Sequence, residues 1–175
     1  MYKYNISKYN PAFRDRNGRY MKEDWTAISD IGKTFDGKAL TVEDYVATED
    51  SYIKGIQTIF NFFNLEYLKV CDVRKSFKDN QFWELISRRK VKYTSDVLEL
   101  YNIVESIEKL EYKGLDLFFR LLLREDIGAK VYYPEKLKIF ICYDYLMGIH
   151  SRRSIEKVIP AIEALGLFVE ELRVD

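Results

Sequence analysis

Residues 41–63 have the sequence TVEDYVATEDSYIKGIQTIFNFF, which carries the clearest helical signal in the chain. Thr41 followed by Asp44 resembles a capping box, with Asp in the position that Glu usually takes, and such a pair begins a helix. Apolar residues then recur at helical spacing for over five turns. The sequence therefore predicts a long helix with one buried face. The residues predicted to form that face are Val42, Tyr45, Val46, Tyr52, Ile53, Ile56, Ile59, Phe60 and Phe63.

Glu49 falls on this apolar stripe. A carboxylate that is buried without a partner is costly, so it must reach solvent or pair with a cation. Asp116, Arg120 and Arg124 lie four residues apart on a second helical segment and can form a ladder of charges. We expect Glu49 to have a cationic or hydroxyl partner, with Arg120 or Arg124 as the leading cations for a structural ion pair.

The flanking segments predict the remaining helices and strands in mixed order. Predicted strands are residues 1–9 as an edge strand, 67–73 and 167–174, while 137–149 form either a central strand or a tight hairpin. Predicted helices are residues 77–90, 95–110, 115–124, and a last one capped by Ser151 or Ser154, with Pro160 in its first turn or at a kink. No break in composition marks a second domain. Residues 1–175 are therefore predicted to form a single α+β domain, with four to five helices packed with a small mixed or antiparallel sheet.

The composition is that of a globular protein and narrows the functional classes. The 175 residues include 28 basic and 28 acidic side chains, so the formal net charge is zero. No apolar run approaches the roughly 20 residues that span a bilayer, and the N-terminus lacks an apolar signal-peptide core, so we expect a cytoplasmic protein without a membrane partner. Cys71 and Cys142 lie in apolar segments, which indicates reduced core thiols. Two such cysteines and one histidine give no zinc ligand set, and we expect no metal and no cofactor.

Two motifs suggest alternatives that the surrounding sequence opposes. Residues 27–34, AISDIGKT, fit a relaxed phosphate-loop pattern and suggest a small nucleotide-binding enzyme. However, charged residues precede the motif, a turn-like Phe35-Asp36-Gly37 follows it, and Asp30 would place an anion among the phosphates. Residues 67–92 hold 8 basic and 3 acidic side chains with aromatic residues between them, which suggests a nucleic-acid-binding protein. Neighbouring acidic blocks cancel this excess, so we expect no direct contact with nucleic acid.

Acidic residues define the candidate partner-binding site. Glu105, Glu108 and Glu111 follow one another at three-residue spacing, with Glu99 upstream and Tyr112 beside them. Such a run is either a solvated helix face or a docking face for a basic protein, whose opposite potential speeds encounter. The chain also holds 14 tyrosines, a residue type favoured at protein–protein contacts.

Catalytic residues are not predicted. His150 is the only imidazole, with Ser151 beside it and Asp144 upstream. Neighbours in sequence do not make a triad, because nucleophile, base and orienting group must converge in space. We therefore expect a protein that is not an enzyme.

Five segments spread over the chain carry a family resemblance. They are 8–14 (KYNPAFR), 17–20 (NGRY), 25–33 (WTAISDIGK), 143–145 (YDY) and 166–170 (GLFVE). With them the chain resembles immunity proteins of bacterial polymorphic toxin systems, including contact-dependent growth inhibition. The resemblance implies a cytoplasmic protein that binds one cognate toxin domain, one to one, and blocks its active site or substrate cleft. Many such toxins are nucleases, RNases among them, with basic clefts that the acidic residues would suit.

Overall fold

The long helix forms as the sequence predicts. The structure is a computed structural model that describes residues 1–172, and in it helix α1 spans Val42–Phe62. The Thr41 side chain accepts a hydrogen bond of 3.0 Å from the backbone N–H of Asp44, which confirms the predicted cap. Tyr45, Ile56 and Ile59 on its inner face are fully buried.

The other helices are short, and the strands form one large sheet. The helices are α2 (Asp79–Arg88), α3 (Ser95–Ile103), α4 (Leu115–Leu123) and α5 (Ile159–Glu163). The strands are β1 (Tyr2–Ser7), β2 (Thr34–Phe35), β3 (Lys38–Ala39), β4 (Tyr67–Lys75), β5 (Lys109–Glu111), β6 (Ile127–Tyr133), β7 (Leu137–Cys142), β8 (Leu146–Ser151) and β9 (Phe168–Glu171). Seven strands make an antiparallel sheet in the order β5-β4-β6-β7-β8-β1-β9, and β2 and β3 form a separate hairpin.

The α+β class and the antiparallel alternative match this architecture, but the prediction of a small sheet is wrong, because the main sheet has seven strands. The apolar run 137–149 is two strands joined by a tight turn, in which Asp144 adopts a left-handed backbone with φ 59°. Residues 1–9 were expected at an edge, yet β1 pairs with both β8 and β9. The predicted strand 167–174 is observed as β9, and its last two residues lie outside the described part of the chain.

The sheet has one face covered by helices and one open face. Tyr4, Met147 and Ile149 point to the covered face and are buried, where α1 packs against α4 and α5. Alternate positions on the other face, such as Lys3 of β1, His150 of β8 and Lys138 of β7, are half-buried or exposed. Helices and strands therefore share a single core on one side of the sheet.

Two further predictions need correction. The helix predicted for 95–110 ends at Ile103, because residues 104–106 form a 3-10 turn and 109–111 pair with β4. Cys71 and Cys142 are free thiols, as expected, but neither lies in the core, since Cys71 is half-buried and Cys142 exposed. Both belong to the open face, whose apolar residues made the strands look buried on both sides.

Candidate partner-binding surfaces

The predicted acidic residues do not share one helix face. Glu99 lies on the solvent side of α3, opposite the buried Val97 and Tyr101. Glu105 belongs to the 3-10 turn, Glu108 precedes β5, and Glu111 ends that strand. The sequence resembles a helix here because Val104 and Leu110 are both buried, but a 3-10 turn and a strand bury them instead of a helix.

The exposed side chains of residues 105–112 nevertheless run along one edge of the sheet, and these residues are here called the acidic segment. Glu105 and Glu108 line the same groove, of about 400 Å³, together with Asp72. The carbonyl of Glu108 accepts a 2.9 Å hydrogen bond from the N–H of Val70, which fixes the backbone there. Lys69 and Lys109 also line this groove.

The carboxylates of the acidic segment are free to meet a partner. The ion pairs among residues 1–172 include none of Glu105, Glu108 and Glu111. Tyr112 is 43 % exposed, and its ring packs 5.8 Å from that of Phe60. Among residues 1–172, β5 is the last strand at this edge of the sheet, and the backbone groups on its outer side have no neighbouring strand there.

The carboxylate on the stripe of α1 has the partners that the sequence predicts. Arg124 donates two hydrogen bonds of 2.7 Å to Glu49, and Arg120 donates a third of 2.7 Å. Glu49 is 0 % exposed, and Tyr45 donates to it as well. Burial alone would lower the pKa of the Arg124 guanidinium, but the Glu49 carboxylate outweighs burial and raises it. Glu49 thus holds α1 against α4 and is structural.

The basic stretch 67–92 is not a continuous patch. Arg89 is half-buried and pairs at 2.6 Å with the buried Asp126, and it also contacts Tyr93, so its charge is already compensated within the protein. The Lys90 ammonium donates a 3.0 Å hydrogen bond to the carbonyl of Ile31. Lys75 and Arg88 each pair with an acidic residue four positions away. Of the interleaved aromatic residues, Phe82 is buried and Trp83 is 41 % exposed.

The phosphate-loop pattern has a different role. Lys33 pairs with Asp30 at 2.8 Å, and the N–H of Gly32 donates to the carbonyl of Leu40 at 2.8 Å. The chain then enters the hairpin of β2 and β3 at Thr34 rather than a helix. Without a helix start after Lys33, the backbone amides that would face a phosphate are absent from this loop.

The segments that carry the family resemblance converge in space. Trp25 packs 5.3 Å from Tyr45 and 4.9 Å from Tyr145, and the Lys8 ammonium lies 4.2 Å from the Trp25 ring. Lys8 pairs with Asp24 at 2.8 Å, and burial lowers the pKa of this ammonium against the pull of the carboxylate. A groove of about 750 Å³ runs over this cluster. These segments therefore dock the N-terminal region onto α1, which is a structural task.

The histidine, serine and aspartate near residue 150 do not converge. Ser151 is buried on the covered face and donates a 2.8 Å hydrogen bond to the carbonyl of Arg153. His150 faces the opposite side of β8, and Asp144 is exposed in the turn before it.

Sequence reasoning missed a row of basic and aromatic residues on the open face. Strand register places the members directly beside one another across six strands, in the order Lys3, His150, Lys138, Tyr132, Lys69 and Lys109. We call this the lysine row. Burial, together with the ammonium groups of Lys3 and Lys138, lowers the pKa of His150 below its ordinary value of 6.5. Period-two alternation in each strand marks the open positions, but only the register brings them together.

Comparisons with known protein families, with curated proteins and with solved structures found no match to this chain. Among residues 1–172, no helix combines the length and apolar character needed to cross a membrane. The same residues hold no group of three or more His, Cys, Asp or Glu side chains placed to bind a metal ion.

Proposed function

We propose that this chain is a cytoplasmic immunity protein that binds one cognate toxin domain and neutralises it. It acts by occlusion, without a catalytic step or a cofactor, and it covers the active site or substrate cleft of a nuclease, such as an RNase. The resemblance of the five segments supports this class of protein. One observation supports placing the toxin-binding site at the acidic segment. Glu105, Glu108 and Glu111 are exposed there, without basic partners, beside Tyr112.

This surface has the chemistry that a basic cleft requires. A nuclease must bind phosphates, so its cleft carries positive potential, and unpaired carboxylates on the inhibitor raise the rate of encounter. Tyr112 adds a large side chain of the kind that anchors protein interfaces. The free edge of β5 offers backbone groups that an extended segment of the partner can pair with.

The affinity must be high, because a few free toxin molecules harm the cell. Nanomolar binding corresponds to about −12 kcal/mol at 25 °C. A standard interface of about 1,600 Å² reaches this value only when a few anchors are well buried. Tyr112 is the anchor that we assign to this segment.

The test reverses the charge of the segment. The triple variant Glu105→Lys, Glu108→Lys, Glu111→Lys is compared with the wild type by surface plasmon resonance against the cognate toxin domain, which we expect a neighbouring gene to encode. We expect association to slow by at least tenfold at low salt and by much less at high salt, because salt screens the attraction. Dissociation should change less than association.

A matched control carries the same change in net charge elsewhere. Glu43, Glu156 and Glu163 are exposed and lie outside the acidic segment, and their reversal to Lys should leave association within about twofold of the wild type. If the two triple variants associate at the same rate, the acidic segment is not the docking site. If the wild type neither binds the domain nor protects cells that express it, the proposed function is wrong.

A further inference from the structure

Within residues 1–172, the positive charges of the lysine row form no ion pairs that would stabilise the folded protein. Lys3 and Lys138 flank His150 in register, and neither is in an ion pair among the described residues. Lys3 and Lys138 lie two strands apart on this face, and a protonated His150 would lie directly opposite each of them, an arrangement of like charges that is destabilising. This arrangement therefore suits an anionic partner that neutralises it.

The two ends of the row differ in their surroundings. Lys69 and Lys109 border the groove that Glu105 and Glu108 line, so an anion is repelled there. At the other end, the acidic neighbour on β9 is Glu170, which pairs with Arg14 at 2.9 Å. The part of the row available to an anion therefore runs from β1 through β8 and β7 to β6.

Aromatic rings lie between these cations. The ring of Phe140 occupies the space over Gly148, where a Cβ would collide with it, and it meets the His150 ring edge-on at 4.9 Å. Tyr132 is half-buried beside Lys138 in register. Rings seated on a sheet surface among lysines provide stacking platforms for bases next to sites for phosphates.

The chemistry separates nucleic acid from an acidic protein as the partner. Lysine is depleted at the centre of protein–protein interfaces, whereas it is a common ligand of phosphate. Base stacking also uses Phe140 and Tyr132, which an acidic peptide would leave exposed. The zero net charge of the chain predicts no direct nucleic-acid contact. However, the fold separates acidic from basic side chains, so the open face carries a positive charge of its own.

We infer that the open face binds a short single-stranded nucleic acid, with phosphates at Lys3 and Lys138 and bases stacked on Phe140 and Tyr132. Four neighbouring strands at about 4.8 Å spacing give a platform about 14 Å across, which suits a few nucleotides. This site is separate from the acidic segment and does not rest on the proposed function.

Fluorescence anisotropy with a labelled 12-nucleotide oligouridine tests the phosphate contacts. In 50 mM salt we expect the double variant Lys3→Glu, Lys138→Glu to bind at least tenfold more weakly than the wild type. Each lost contact should also reduce the slope of log affinity against log salt by about 0.7. The matched control is Lys54→Glu, Lys157→Glu, which makes the same change at exposed positions outside the open face and should bind within about twofold of the wild type.

The aromatic platform has its own readout. Phe140→Leu keeps an apolar side chain but removes the ring, and we expect at least about fivefold weaker binding, since stacking on one ring contributes about that much or more. His150 is the only histidine, so its proton NMR signals report on the centre of the site, and they should shift on addition of oligouridine.

Three results would overturn the inference. The first is no binding of the wild type in 50 mM salt. The second is an equal loss of binding in the control variant, with the His150 signals unmoved. The third is binding of a polyglutamate peptide, but not of the oligonucleotide, with the same dependence on Lys3 and Lys138, which would assign the face to an acidic protein. Toxin neutralisation by the same preparations is measured separately, so failure of one proposal leaves the other standing.

Discussion

The covered and open faces of the sheet treat positive charge in opposite ways. Beneath the helices, Arg124 and Arg120 bind the carboxylate of Glu49, with hydrogen bonds of 2.7 Å. On the open face, Lys3 and Lys138 stand on either side of His150 without a carboxylate. The first arrangement holds α1 against α4, whereas the second does nothing for the folded chain. The difference separates cations that build the fold from cations that are available to a partner.

The strongest test of this contrast removes the buried carboxylate. Glu49→Ala leaves the buried Arg124 without a carboxylate, while the half-buried Arg120 keeps its ion pairs with Asp50 and Asp116. Arg124 already has one nitrogen, Nη1, without a hydrogen bond. We expect the free energy of unfolding in urea to fall by about 3–5 kcal/mol. Glu66→Ala, at an exposed position, should change it by less than about 0.5 kcal/mol. A loss at Glu49 no larger than this control would mean that the buried cluster contributes nothing to stability.

A smaller effect is expected where the open face is given the carboxylate that it lacks. Lys138→Glu places an acid directly opposite His150 in the strand register. At low salt and at a pH low enough to protonate the imidazole, a pair of opposite charges should raise the free energy of unfolding by about 0.2–1 kcal/mol. Lys157→Glu, outside the sheet, serves as the control. If Lys138→Glu lowers the free energy of unfolding instead, the positive charges of the lysine row do not repel one another measurably.

The smallest effect is the pH dependence that His150 contributes. Its pKa in the folded chain is lowered from 6.5 by burial and by the charges of Lys3 and Lys138. The unfolded chain therefore takes up the proton first as the pH falls, so stability from the neutral imidazole is present above pH 6.5 and is lost below it. Thermal unfolding of the wild type and His150→Gln should show their difference in stability declining between pH 7.5 and pH 5. A difference that is constant, or that grows toward pH 5, contradicts this account.

The sequence was sufficient to predict those features that depend on one segment with a regular apolar spacing. The helical spacing around Glu49 identifies both the long helix and the need for a cation, and the four-residue spacing of Arg120 and Arg124 identifies the partners. The helix follows from local spacing, whereas the ion pairs join residues 71 and 75 positions apart and follow from the cost of an unpaired buried carboxylate. The structure confirms both.

The sequence was insufficient where two backbone geometries bury the same residues. Val104 and Leu110 are inward-facing in a helix, but a 3-10 turn followed by an edge strand buries them equally well. The size of the sheet was also missed, because the sequence predicts a helix where β5 forms and predicts no strand where β6 forms. The lysine row could not be predicted, since strands far apart in the sequence must first be paired in register.

The two tryptophans differ in exposure, so their fluorescence can report on separate parts of the fold. Trp25 is 8 % exposed and is held by Lys8, Tyr45 and Tyr145, whereas Trp83 is 41 % exposed on α2. Acrylamide will therefore quench Trp83 and spare Trp25. In a Trp83→Phe chain, the remaining emission comes from the indole that pins the N-terminal region to α1. During unfolding, a red shift of this emission will show when the N-terminal region separates from α1. Comparison with the loss of helical signal will show whether it separates before the rest of the fold or together with it.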